Sequence, residues 1–320
     1  MMKKFATLLL AMFILVNSYA QKLKFNNDGK FKIVQLTDIH YGYGTEPSEQ
    51  SKKDICELLE IEKPDLVVIT GDVVYHAPAT EGWNDVLSIF ENRSIPYAIT
   101  FGNHDDEVGI SRKDVATMLE GRKGSLFIAK TKGVSGYGNY TIPIYDKTGK
   151  QIKNIIYNFD SNKYSQIKSV KGYDHIKPDQ VAWYNAQSAR YKQLHGGIAI
   201  PSVAFFHIPL PEYTEAYNTS SQRSGTKGEP ECSPKINTGL FSNMLINGDV
   251  YAIAVGHDHN NDYTATLHGI TLCYGRFAGN GSVYGYLKNG ARVFILDEGQ
   301  KSFETYITTG GEKLYDMSIK

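Results

Sequence analysis

Ile99-Thr100-Phe101-Gly102-Asn103-His104-Asp105 is the stretch on which the fold turns. The apolar run from Pro96 to Phe101 has the β-branched and aromatic content of a short buried strand, and it runs straight into glycine. A carboxamide, an imidazole and a carboxylate follow without a gap. Glycine at a strand end lets the backbone turn sharply and pass close to a neighbour. In open α/β sheets, the loops beyond such strand ends carry the chemistry. Alone, the segment reads equally well as an ordinary turn. Its weight comes from four other apolar runs in the chain that end in the same way.

Residues 31–37 close on Asp38-Ile39-His40, and residues 66–70 close on Gly71-Asp72. Residues 198–206 close on His207, and residues 250–255 on Gly256-His257-Asp258-His259. Between and after the first three runs along the chain, residues 51–62, 81–92 and 111–119 show helical spacing, with Ser111 placed as a cap. Strand–helix alternation with uninterrupted apolar strands predicts a mostly parallel sheet covered on both faces. Beyond Tyr137 the pattern changes. Strands are expected at 139–145, 152–159, 263–267, 270–274, 293–296 and 303–307, with helices at 178–193 and 236–246. The polar stretch 212–235 reads as a long surface loop. Two sheets packed face to face with helices outside would use all of these elements.

The first twenty residues stand apart. Lys3-Lys4 precedes an apolar region of twelve residues, too short to span a bilayer, and Ser18-Tyr19-Ala20 is a cleavage signal with Gln21 as the mature start. The expectation is a signal peptide over 1–20 and one domain over 21–320, exported to the periplasm or beyond the cell, with no membrane attachment afterwards. The whole chain has 34 basic and 34 acidic residues, 41% hydrophobic. That composition belongs to a globular protein, and zero net charge gives no field to draw it to nucleic acid. An anionic ligand must therefore be captured locally. Of the three cysteines, Cys56 reads as a small hydrophobe, and Cys232 and Cys273 could pair, though nothing in their spacing demands it.

The five strand ends supply Asp38, His40, Asp72, Asn103, His207, His257 and His259. The set holds carboxylate, carboxamide and imidazole but no thiolate, which suits Mn, Fe or Zn. Seven ligands are too many for one four-coordinate ion, and they suit two ions sharing a carboxylate. In Asp38-x-His40 and His257-x-His259, residues two apart point the same way in extended chain and can face one cavity.

On these motifs, and on Phe206-His207-Ile208-Pro209 and Gly256-His257-Asp258-His259, the chain resembles the calcineurin-like metallophosphoesterases over most of its length. Within them it is most similar to the small purple-acid-phosphatase-like branch and its fungal phosphatase relatives. The resemblance implies a four-layer αββα sandwich, an α/β fold of two mixed sheets flanked by helices. It implies that Asp38, His40 and His259 hold one metal and Asn103, His207 and His257 a second, with Asp72 bridging them. His104 would then be no ligand but the catalytic residue facing the leaving oxygen. The implied activity is hydrolysis of small phosphate esters, monoesters preferred, by a hydroxide shared between the metals. A phosphodiesterase or nucleotidase, or a non-catalytic scaffold, is the alternative.

One departure stands out. Purple acid phosphatases have Asp-x-Gly in the first motif and a metal-binding tyrosine three residues after the bridging aspartate. Here His40 replaces that glycine, yet Tyr75 stands three residues after Asp72. The expected arrangement takes His40 as ligand and Tyr75 as a wall residue. Arg276, in a glycine-rich stretch, could hold a phosphate oxygen or lie on the surface. Asp160 could reach the site or cap a turn. Tyr137, Tyr140, Tyr213 and Tyr217 could stack on substrate.

Overall fold

The central strands are buried on both faces, and successive residues along them turn toward different cores, in two sheets with one seam between them. The computed structural model describes residues 22–281 and 284–319, so the leader expected over 1–20 lies outside the described residues. The first half of the chain contributes β1 (Lys30–Leu36), α1 (Glu46–Glu62), β2 (Leu66–Thr70), α2 (Ala79–Arg93), β3 (Tyr97–Thr100) and α3 (Arg112–Leu119). The middle contributes β4 (Tyr140–Tyr145), β5 (Ile152–Asn158), α4 (Pro178–Leu194), β6 (Ser202–Phe205), α5 (Glu212–Thr219), β7 (Arg223–Ser224) and α6 (Leu240–Asn247). The last part holds β8 (Val250–Val255), β9 (Thr264–Leu267), β10 (Ile270–Tyr274), β11 (Ala291–Asp297), β12 (Phe303–Thr309) and β13 (Glu312–Ile319).

The six-stranded sheet has the order β13-β12-β11-β1-β2-β3, and the seven-stranded sheet the order β4-β5-β6-β8-β10-β9-β7. In the first, β1, β2 and β3 are parallel and β11 joins β1 antiparallel. In the second, β5, β6, β8 and β10 are parallel, with antiparallel strands at both edges. Val203 and Phe205 of β6 and Ala252 and Ala254 of β8 face the first sheet and share its core. Their neighbours Ala204, Ile253 and Val255 face the other way, into a second core with Tyr184 of α4 and Met244 of α6. Val115 and Leu119 of α3, with Ile55 and Trp83 from α1 and α2, belong to the first core. The result is helices, sheet, sheet, helices. Each fully buried aliphatic chain at these positions contributes about 1.5–3 kcal/mol.

Several boundaries differ from those expected. Ser111 does cap α3, its hydroxyl accepting from the Asp114 amide at 3.2 Å. The stretch 212–235 is not all loop. It opens with α5, because Tyr213 and Ala216 lie one helical turn apart and both are fully buried. The last strand, β13, carries no sequence signal of its own, because most of its residues are exposed and no apolar alternation marks it. The signal that could have found it is Gly310-Gly311, both at positive φ, which turns β12 back on itself.

Candidate metal centre

Every proposed ligand lies just past the carboxyl end of a parallel strand: β1, β2 and β3 from one sheet, β6 and β8 from the other. The backbone there is forced into unusual conformations. Nine non-glycine residues among those described have positive φ, and four of them are Asp38, His40, Asp72 and His257. Left-handed backbone at a side-chain-bearing residue costs about 1–3 kcal/mol, so packing and hydrogen bonding around each position must hold it there. Two glycines make room. A Cβ on Gly102 would lie 2.1 Å from Asp72 Oδ1, and one on Gly256 would lie 1.8 Å from Thr37 Oγ1.

The structure brings six of the seven side chains together, and Asn103, whose Oδ1 is buried without a partner, follows β3 beside them. Asp38, His40 and His259 form one group whose ligand atoms all lie within 4.8 Å, and Asp72, His207 and His257 form another. Asp72 Oδ2 is 3.6 Å from His40 Nε2 and 3.2 Å from His207 Nε2, so a single oxygen faces both groups. His259 Nε2 is 3.4 Å from Asp38 Oδ1, and His257 Nδ1 is 3.2 Å from His207 Nε2. Ligand atoms about 2.0–2.2 Å from a common ion are spaced about this far from one another. The test of fit is what these atoms bond to otherwise. Asp38 Oδ1, both ring nitrogens of His40, Asn103 Oδ1 and His257 Nε2 are buried with no hydrogen-bond partner. Buried polar atoms left so cost about 1–3 kcal/mol each. A pair of cations would satisfy several of them, and the oxygen and nitrogen donor set fits Mn, Fe or Zn.

Around this ring, further contacts fix how the ligands present themselves. His207 Nδ1 donates to the Thr70 carbonyl at 2.7 Å and His259 Nδ1 to the Tyr284 carbonyl at 2.7 Å, so each Nε2 is the nitrogen turned inward. Asp38 Oδ2 accepts from the Thr37 hydroxyl at 2.7 Å and the His257 amide at 3.0 Å, so Oδ1 is the inward oxygen. Asp72 Oδ1 accepts from the His104 amide at 2.8 Å. Asp105, in the opening motif but without a sequence-assigned role, proves to be a clamp. It takes the amides of Asp72 (3.1 Å), Val73 (2.7 Å) and Gly102 (2.7 Å), tying the ends of β2 and β3 together.

The electrostatics follow from this crowding. Burial works against the Asp38 carboxylate, but the His259 and His207 rings outweigh it and hold it well below its ordinary value. Asp72 is lowered in the same manner by His207 and His40. Burial lowers the basicity of His207, while Asp72 and Asp38 outweigh that and raise it to about 10. His257 goes the other way, to about 3, through burial and the neighbouring His207.

His104 stands beside the two groups rather than within them. Its Nδ1 meets Glu107 Oε2 at 2.5 Å, and its ring lies against Tyr75 (5.2 Å between centroids) and His40 (5.6 Å). Both His104 and Tyr75 line a cleft of about 170 Å³ that also exposes His40, Asp72, His257 and His259.

Other expected site residues lie elsewhere. Arg276 is neither at the cleft nor on the surface. It is 3% exposed, its Nε donates to Asp262 at 2.9 Å and its Nη1 to the Lys288 carbonyl at 2.6 Å. Asp160 pairs with Arg112 at 2.6 Å and accepts the Tyr137 amide, and so supports the Gly102 loop that Arg112 also touches. Cys232 and Cys273 are both free thiols, one exposed and one buried, not a disulfide. Tyr140 and Tyr213 are buried in the two cores, and neither Tyr137 nor Tyr217 lines the cleft. The aromatic rings that do line it are Tyr75, Tyr173 and Tyr284, two of them outside every motif.

The comparisons with known proteins agree with this geometry. Residues 31–261 match the family described as calcineurin-like phosphoesterase. "Probable inactive purple acid phosphatase 29" of Arabidopsis thaliana is 31% identical over 317 residues, covering 88% of this chain and 80% of that protein. "Phosphatase DCR2" of Saccharomyces cerevisiae is 34% identical over 296 residues, covering 81% of this chain and 50% of that protein. A solved dimetal phosphatase from Danio rerio superposes with a TM-score of 0.62 at 13% identity, covering 91% of this chain and 98% of that one, a likeness of fold. With the family match spanning most of the chain, this protein belongs to the calcineurin-like phosphoesterases.

Proposed function

We propose that this protein is an exported, metal-dependent phosphoesterase acting on small phosphate esters, monoesters in preference to diesters. The observation that carries the reading is the pair of buried groups, Asp38 with His40 and His259 and Asp72 with His207 and His257, that meet at the Asp72 carboxylate, with Asp38 Oδ1 and His40 Nε2 left without hydrogen-bond partners. Asp38, His40 and His259 would hold one ion, Asn103, His207 and His257 the other, and Asp72 both. When bound, two such ions polarise phosphoryl oxygens and supply a water ionised near neutral pH.

The chain's own residues do the rest. The Glu107 carboxylate accepts from His104 Nδ1 and fixes the ring, so that Nε2 is the nitrogen presented to the cleft. That nitrogen would pass a proton to the departing oxygen, a role contributing about 10²–10⁴-fold. Asp105 and the His104 amide keep Asp72 from swinging toward one group. Loss of any one of these braces would loosen a site that works by position.

A second reading has support of its own, because the Arabidopsis relative carries "inactive" in its name. Metal analysis of the purified protein, with phosphate release from p-nitrophenyl phosphate and from its bis ester, separates the cases. Two equivalents of metal with faster monoester turnover is the expected result. Two equivalents with no turnover of either ester would make it a non-catalytic member, and faster diester turnover would make it a phosphodiesterase.

A further inference from the structure

The wall of the cleft beyond the metal ligands is aromatic and carries no cation. Tyr75, Tyr173 and Tyr284 line it together with His104, Cys232 and Asp258, and no lysine or arginine does among the described residues. Each tyrosine is braced against a residue of the site. Tyr75 meets His40 in a T-shaped pair at 5.2 Å, Tyr173 stands perpendicular to His257 at 4.3 Å, and Tyr284 lies parallel over His259 at 4.4 Å. The segment bearing Tyr173 is tied down independently. Tyr164 stacks on Tyr173 at 5.7 Å, and the Tyr164 hydroxyl accepts from Asn103 Nδ2 at 3.4 Å.

Most other tyrosines in this chain are consumed by the cores, but these three retain accessible surface, 54% for Tyr284. Elsewhere, Lys or Arg side chains sit over the rings of Tyr137, Tyr145, Tyr191, Tyr217 and Tyr306, whereas none covers these three among the described residues. Cys232 adds a neutral face, its thiol pushed up to about 12 by burial and by Asp258. Glu229 lies at the rim, 3.3 Å from the Tyr284 hydroxyl. A second phosphate on the substrate would therefore find carboxylates and no partner. The cleft is about 170 Å³, against about 300–1,000 Å³ for the usual small-molecule pocket, which favours one phosphoryl group and one ring over a larger ligand.

We propose that the alcohol part of the substrate carries a flat, uncharged ring, such as a nucleobase or a phenyl group, which stacks on Tyr173 and Tyr75 while a single phosphoryl group faces Asp72 and the histidines. This assignment of substrate class rests on the phosphoesterase reading above. Aromatic faces accept any such ring and discriminate poorly among them, so the preference is for ring over no ring.

The test compares adenosine 5′-monophosphate with ribose 5-phosphate on the metal-loaded full chain, since the ester bond and leaving oxygen are alike and only the base differs. The expected result is a KM lower by about ten-fold or more for the nucleotide. That ratio should collapse toward one in Tyr173→Ala and persist in Tyr173→Phe. Calorimetric titration with benzylphosphonate and ethylphosphonate, neither of which can be hydrolysed, reads the same preference without turnover. Equal KM values and equal phosphonate affinities in the parent protein would overturn the assignment. So would a ratio that survives in both Tyr173→Ala and Tyr75→Ala. Tighter benzylphosphonate binding with no hydrolysis of any ester would uphold the ring site and remove only the enzymatic reading.

Discussion

His207 Nδ1 donates to the carbonyl oxygen of Thr70 at 2.7 Å, across the seam between the two sheets. A carbonyl can only accept, so Nδ1 carries a proton and Nε2, which faces Asp72, is the nitrogen that would supply a lone pair to a cation. One hydrogen bond thus joins the end of β2 to the end of β6 and selects the tautomer that a cation requires. His207→Ala removes the seam contact and a ligand of the second group. Elemental analysis should show bound metal falling from two equivalents toward one. Retention of two equivalents would show that His207 is structural only.

Asp105 offers a sharper separation of bracing from ligation. Its two oxygens accept three backbone amides, from Asp72, Val73 and Gly102. In Asp105→Asn one oxygen becomes an NH₂ group facing amide donors, leaving buried N–H groups unsatisfied at about 1–3 kcal/mol each. Denaturant unfolding of the metal-free variant should show a stability loss of about 2–4 kcal/mol, although no ligand has been altered. An unchanged midpoint would count against the clamp.

For His104 the expected signature is a split between binding and turnover. His104→Ala should keep both metals, because its ring belongs to neither ligand group. It should lose about 10²–10⁴-fold in kcat on alkyl phosphates and much less on p-nitrophenyl phosphate, whose leaving group needs no proton. Equal losses on both substrates, measured by steady-state kinetics, would remove the proton-donor role.

Acid stability should track a group remote from the metal ligands. Glu231 accepts from Lys227 and Tyr263, both at 2.6 Å, and anchors the segment leading to Cys232. Burial raises its carboxyl, but these two donors outweigh it and hold it below the ordinary value of 4.5. A depressed carboxylate contributes stability that is present above the unfolded value and is lost as pH falls through the folded one. Thermal melts should therefore show Glu231→Gln less stable than the parent at pH 6, with the gap closing below about pH 4.5. A gap independent of pH would mean that the carboxylate charge is not what matters.

Arg276 should behave as a core residue. Its guanidinium is buried on Asp262 and the Lys288 carbonyl. Arg276→Ala would strand the Asp262 carboxylate, and breaking a buried pair from one side costs about 3–5 kcal/mol. Calorimetry should find orthophosphate affinity unchanged in whatever fraction remains folded. A selective loss of that affinity would restore the substrate-binding role considered from sequence.

The sequence alone determined the ends of the five central strands and the chemistry placed there. Local signals suffice for that: apolar runs are read from composition, and Asp-x-His or Gly-Asn-His-Asp from order along the chain. The resemblance already sorted Asp38, His40 and His259 into one group, but which atom of each side chain turns inward was beyond the sequence, because Asp38 and His259 meet only after two sheets have packed and four of these residues have taken left-handed backbone. The same holds for Asp105, whose role depends on amides from β2 and β3 at once. Arg276 was misplaced because burial of an arginine depends on a partner, Asp262, that composition cannot pair with it. Tyr173 and Tyr284 went unremarked because a tyrosine in a loop carries no periodicity, and only packing shows whether its face is covered by a core or left beside a metal ligand.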